Sequence, residues 1–174
     1  MKKFYTVMLC LLLSSCGFHF RNNATTSISP SLKSIYIQND SKSRTDLIFR
    51  LRQSLEAMGI QPVKNPKNAS VTLVLSNEGF GQTSRVLGTA QQLNSETLVY
   101  TVTVALHNAK GGTLREPMIL KSSVTYWQNS NQILADTNAT PALQQNLMQE
   151  MNQKILAYLN ATDTRKALEQ NAVR

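Results

Sequence analysis

Few residues of this 174-residue chain could carry out covalent or acid–base chemistry. There are two cysteines, Cys10 and Cys16, two histidines, His19 and His107, and ten acids. The histidines lie in different segments with no Cys or carboxylate at ligand spacing, so the sequence predicts no metal site. There is no Gly-x-Ser-x-Gly turn, no Ser-His-Asp set that can be placed, and no phosphate loop of the Walker type. The acids are scattered, with no pair singled out for general acid–base work. We therefore expect no catalytic residue and no cofactor, and read the chain as a non-enzyme. What remains is cationic chemistry. Lys and Arg number 18 against 10 Asp and Glu, a formal charge of +8, which favours acidic partners. Such side chains give charge-assisted hydrogen bonds to phosphate.

Cys16 is the exception, because its surroundings give it a reaction. Lys2 and Lys3 make a positive start, and 4–13 is a nearly continuous apolar run. That run fits a signal peptide and is shorter than the roughly 20 residues a membrane span requires. Leu13-Ser14-Ser15-Cys16 follows and resembles the bacterial lipobox. There the processing peptidase takes an extended chain with small residues close to its active site. The Cys16 thiol accepts diacylglycerol through a thioether, and the freed amine is then acylated. Each buried methylene contributes about 0.8 kcal/mol and one chain holds only marginally, so several chains make the attachment effectively permanent. Gly17 after the cysteine resembles an outer-membrane address. The expected division is a signal peptide at 1–15, a lipidated N-terminus and tether at 16–30, one α/β domain at 31–161 and a polar tail at 162–174.

Cleavage would remove Cys10, Lys2 and Lys3. The mature chain would then lack a disulfide and fold by packing alone, which its length allows. An exported basic protein meets anionic head groups and lipopolysaccharide phosphates rather than nucleic acid, so no nucleic-acid partner is expected. Asn68-Ala69-Ser70 and Asn138-Ala139-Thr140 read as chance sequons in a bacterial route.

The elements that must position these cations follow from periodicity. Leu32, Ile35 and Ile37 predict a first strand over 32–38. Ser43 and Asp46 resemble a capping box. Leu47, Ile48, Leu51, Leu55 and Met58 then form one helical face, with Gly59 at the C-cap. Val71, Leu73 and Leu75 alternate with Thr72, Val74 and Ser76 in a second strand, and 77–96, richer in Gly and Gln, is open to extending that strand before it turns. The clearest strand is 97–108, with Leu98, Tyr100, Val102, Val104 and Leu106 on one face and Thr97, Val99, Thr101, Thr103 and Ala105 on the other. Ala109-Lys110-Gly111-Gly112 reads as a hairpin turn, and 119–127 as a fourth strand. Thr140-Pro141 resembles a helix start, possible one or two turns earlier near Leu134. Leu143, Leu147, Met151, Ile155 and Leu159 repeat every four residues along that helix. The predicted fold is an α/β two-layer sandwich, a four-stranded mixed sheet with two helices on one face in the order β-α-β-β-β-α. A right-handed crossover would join the first two strands, and antiparallel hairpins the rest.

The opening Cys16-Gly17-Phe18-His19-Phe20-Arg21 resembles the Cys-Gly-aromatic-His-apolar-Arg start of the lipopolysaccharide-assembly lipoproteins, the LptE (RlpB) family. The later order is similar too: Leu51 and Leu55 in a first helix, Gly59-Ile60 at its exit, the long strand through Tyr100 and Leu106, Tyr126-Trp127 with Asn129, and Ile133-Leu134-Ala135 before the last helix. The resemblance implies a two-layer α/β fold and a tight complex with the outer-membrane barrel LptD, whose lumen the lipoprotein plugs. It also implies lipopolysaccharide binding, help in barrel assembly, and a place on the periplasmic side of the outer membrane, held by the N-terminal lipid. On that basis Gln82, Lys110, Tyr126, Trp127 and Gln128 are candidate barrel contacts. Arg85 and then Lys121 are candidate lipopolysaccharide contacts, because each follows apolar strand residues that could meet acyl chains. Lys110, at a hairpin tip, need not share an end of the sheet with Arg85. The rival classes are a passive envelope lipoprotein and an envelope hydrolase.

Overall fold

The computed structural model of the protein describes residues 32–41, 46–87, 93–129 and 133–172, with the backbone alone at 85–87, 93–94, 127–129, 133–139 and 171–172. The expected signal peptide, lipobox, opening motif and tether lie outside the described residues, as does Ser43 of the capping box.

Strand β1, Ser34–Asn39, alternates as its sequence demands, with Ile35 and Ile37 buried. Helix α1, Asp46–Ala57, buries Leu47, Leu51 and Leu55, one residue per turn on one stripe. It stops where Gly59 takes φ +78. Ile60 N–H reaches back to Leu55 O at 3.0 Å and Gly59 N–H to Glu56 O at 2.9 Å. This is a Schellman cap, and glycine adopts its left-handed residue without a Cβ clash.

Three residues absent from the predicted order follow as strand β2, Gln61–Val63, parallel to β1. Their two-proline neighbourhood reads as a connection, but an outermost strand loses little ladder bonding to a proline. Then come a single 3-10 turn, Pro66–Asn68, and three long strands: β3, Val71–Leu87; β4, Leu93–Asn108; and β5, Thr113–Asn129. The sheet order is β2-β1-β3-β4-β5, five strands rather than four. β1 pairs with β3 in parallel, and β3–β4 and β4–β5 are antiparallel, as the crossover and hairpin readings require.

The second strand does extend into the Gly- and Gln-containing segment, as far as Leu87, and the fourth runs past both of its predicted ends. β3 continues through 77–87 because a bulge at Asn77, φ 50, absorbs the register shift between Ser76 and Gly79. β5 begins at Thr113, ahead of Pro117. As the last strand, β5 tolerates a residue without an N–H, and its register shifts beside that proline. The β4–β5 turn uses Gly111 at φ +84, and Asn108 Oδ1 accepts from Lys110 N at 3.0 Å and Gly112 N at 2.8 Å.

Helix α2, Ile133–Asn160, starts at the earlier of the two predicted places and carries Pro141 inside it rather than at its first turn. The stretch expected as a polar tail instead forms a third helix, α3, Thr162–Ala172. Its Leu168 is buried, and Thr164 is fully buried. The core is one cluster. It joins Ile35, Leu51, Leu55, Leu73, Leu75, Tyr100, Val102, Leu106, Met151, Ile155 and Leu159 between helices and sheet. On the opposite sheet face Thr72, Val74, Thr101 and Thr103 are half-buried, and Lys121, Ser123 and Thr125 are exposed. The alternation within β4 is the predicted one. Among the described residues no helix is long and apolar enough to cross a membrane.

Candidate functional site

Past the Asn77 bulge, β3, β4 and β5 continue as a three-stranded extension that no residue of β1 or β2 reaches. The bulge itself is held by Glu78. Its N–H bonds Ser41 Oγ at 3.0 Å, and its carboxylate accepts the Tyr100 hydroxyl at 2.5 Å. Burial, with a smaller contribution from nearby Asp46, pushes the Glu78 carboxyl above the usual carboxylate range despite that hydrogen bond. Burial and the Glu78 bond together raise the Tyr100 phenol. Phe80, 40% exposed, stacks on Tyr100 with centroids 4.3 Å apart. The core continues past this aromatic pair through buried Leu98, with Val124 and Tyr126 packed against it.

On the same face, Gln82 stands two ladder positions further on, beside buried Leu98, and Ser84, Glu96 and Tyr126 stand four positions on. Glu96 Oε2 accepts from Gln82 Nε2 at 2.5 Å and from Tyr126 OH at 2.6 Å, and Ser84 Oγ donates to Oε1 at 3.4 Å. Two candidate barrel contacts, Gln82 and Tyr126, are thus brought together. The group that joins them, Glu96, was not singled out in the sequence. Its signal was there: an acid sits two residues before Leu98, on the register of the apolar face of β4. A carboxylate holding three donors is an organiser, so the cluster presents amide, hydroxyl and ring surface to its surroundings.

The other candidates are dispersed. In the ladder Arg85 and Trp127 both stand opposite Ser95, and Gln128 stands opposite Asn94. Lys121 stands opposite Thr101 and is exposed. Ladder positions 95 and 101 are on the order of 20 Å apart at ~3.3 Å per residue, so Arg85 and Lys121 do not form a single phosphate clamp. Exposed Lys110 sits in the β4–β5 turn, at the far end of β4 from Arg85. These two cations do not share an end of the sheet. A groove of about 440 Å³ on α1, lined by Asp46, Phe49, Arg50 and Gln53, was not anticipated. Its Arg50 donates to Gln145 of α2. Among the described residues no three His, Cys, Asp or Glu side chains gather in a metal-binding group. His107 stands opposite Thr72 and Thr113 in the ladder.

The architecture has solved counterparts. The minor lipoprotein of Acinetobacter baumannii is 19% identical, with 74% of this chain and 91% of that one aligned at a TM-score of 0.59. Lipoprotein B of Nitrosomonas europaea is 18% identical over 83% and 94% of the two chains, with a TM-score of 0.62. Rare lipoprotein B of Shewanella oneidensis is 15% identical over 75% and 96%, with a TM-score of 0.57. At these identities the likeness establishes the fold. Comparison with curated protein sequences gives no significant match. The family model described as LptE, lipopolysaccharide-assembly, matches residues 32–159 and so spans the sheet and both long helices. The chain therefore belongs to the LptE family of lipopolysaccharide-assembly lipoproteins.

Proposed function

We propose that this lipopolysaccharide-assembly lipoprotein is held on the periplasmic side of the outer membrane by lipid on Cys16. There it seats inside the lumen of the barrel LptD, assisting the barrel's assembly and the insertion of lipopolysaccharide into the outer leaflet. Its action is binding and scaffolding rather than catalysis. The observation that carries this reading is the extension of β3, β4 and β5, strands of 16 or 17 residues in all, with a Thr- and Ser-rich open face and the Gln82–Glu96–Tyr126 cluster behind it. The lumen of an outer-membrane barrel is polar, and a plug needs hydrogen-bonding and aromatic surface rather than one large apolar patch. Within this proposal Gln82, Tyr126, Trp127 and Gln128 on the extension, and Lys110 at the opposite turn, are the barrel contacts. Arg85 and Lys121 meet lipopolysaccharide.

Photo-crosslinkers placed at Gln82, Lys110 and Gln128 in the full chain test the arrangement in the native membrane. Crosslinks to a barrel-sized outer-membrane protein are the expected result. A protein that crosslinks from none of the three, and purifies alone after gentle solubilisation, would be a passive lipoprotein instead.

A further inference from the structure

The last strand of the sheet carries a feature that membership of the family does not explain. Among the described residues β5 has a ladder partner on one side only, and at 17 residues it is far longer than β2, the three-residue strand at the other end of the sheet order. A long open edge is a template for strand addition. Helix α3 lies against its Thr113 end, where Arg115 Nη1 donates to Thr164 Oγ1 at 2.9 Å. Further along stands Ile119, 70% exposed and the most exposed large apolar side chain among the described residues. Two residues on, the backbone carbonyl of Lys121 is taken by a side chain rather than a strand. Lys154 of α2 donates its Nζ to Lys121 O. Glu150, one turn earlier on α2, holds the same ammonium at 2.9 Å. The Glu150 carboxyl is held below the usual range, first by that hydrogen bond.

We propose that Lys154, positioned by Glu150, is an edge guard that keeps the β5 strand of one copy from pairing with the β5 strand of a second copy of this chain. The second copy is the partner the geometry fits. An antiparallel β5–β5 pairing is self-complementary and closes with two-fold symmetry. It would join the two sheets and cover Ile119 from both sides. The other open edges among the described residues, three-residue β2 and the part of β3 beyond its pairing with β1, carry no such side-chain-occupied carbonyl beside an exposed apolar residue. The guard opposes this pairing in two ways. It satisfies the Lys121 carbonyl without a strand. It also leaves the Lys154–Glu150 ion pair in the path of any incoming backbone, and taking that pair out of water is costly. Nothing here depends on a barrel partner.

The test compares self-association of the full chain and its variants by analytical ultracentrifugation in density-matched detergent. Wild type and Lys154→Arg, which keeps a cationic donor, should sediment as monomers. Lys154→Met keeps the stem and loses the ammonium. It should dimerise at least about tenfold more tightly, the weight of one unsatisfied backbone group regained from a partner strand. Glu150→Gln, which loosens the holder, should shift in the same direction by less. Adding Ile119→Lys to Lys154→Met should restore the monomer. Lys154 and Glu150 side chains are 39% and 46% exposed, so these changes leave the core untouched, and thermal melts by circular dichroism check that they do. Should Lys154→Met fail to fold, Glu150→Gln decides alone. A Lys154→Met protein as monomeric as wild type, a wild type already paired through β5, or a dimer indifferent to Ile119→Lys would overturn the proposal.

Discussion

The guanidinium of Arg115 on β5 lies 4.9 Å over the ring of Tyr158 on α2, and the same guanidinium donates to Thr164 of α3. One side chain thus ties the sheet's last strand to both C-terminal helices. Thr164 completes the arrangement by donating to Tyr158 O at 2.7 Å. Thr164→Val keeps the shape and removes both bonds, leaving the guanidinium short of an acceptor. The expected cost is about 1–3 kcal/mol, read as a lower urea midpoint with an unchanged slope. Arg115→Ala should cost a similar amount through lost cation–π contact and stem packing. An unaltered midpoint in both would mean that α3 contributes nothing to the folded domain.

Glu78 gives a pH dependence whose sign is opposite to the common carboxylate case. Its folded-state pKa is raised above 4.5, mainly by burial. The native state therefore holds its proton more tightly than the unfolded chain does. The stabilising contribution is fully present below the unfolded value and is lost as pH rises through the folded one. Glu78→Gln keeps an oxygen to accept the Tyr100 hydroxyl and removes the charge. Wild-type stability should fall across the range above 4.5 relative to the variant, with the two converging in acid. Urea denaturation at a series of pH values measures this. Parallel curves would show that the Glu78 carboxylate is not disfavoured in the fold.

For lipopolysaccharide, the ladder positions imply independent contacts. Arg85→Glu and Lys121→Glu should each weaken binding in vitro. Their effects should add, because sites on the order of 20 Å apart share no partner. High salt should shrink the difference from wild type, since exposed charges are screened. Binding that is unchanged in the double variant, with normal circular dichroism, would remove both residues from the contact and leave the barrel role standing.

Cys16→Ala should abolish incorporation of labelled fatty acid and release the protein from membranes. Mass spectrometry of native protein should find Cys16 as an acylated N-terminus. A label retained in Cys16→Ala would place the modification elsewhere.

The sequence by itself determined the two-layer class and the face each residue takes. Leu98, Tyr100, Val102, Val104 and Leu106 recur every second residue, and Leu47, Leu51 and Leu55 at helical spacing, so their burial could be read from period, whereas Ala105 is buried on the opposite face. It also determined the stop at Gly59, because only glycine fits that left-handed residue cheaply. Tertiary structure decided what local pattern leaves open. The short β2 forms because β1 offers it an edge, which no three-residue propensity encodes. β3 runs past Asn77 because Glu78 finds Tyr100 and Ser41, groups 22 and 37 residues away. Residues 162–172 carry too little apolar periodicity to declare a packed helix, and they become one because Arg115 and Tyr158 receive Thr164. Glu96 became the centre of the candidate surface for the same reason. Its partners, Gln82, Ser84 and Tyr126, come from neighbouring strands, and strand pairing is a long-range event that a linear reading sees only after the register is known.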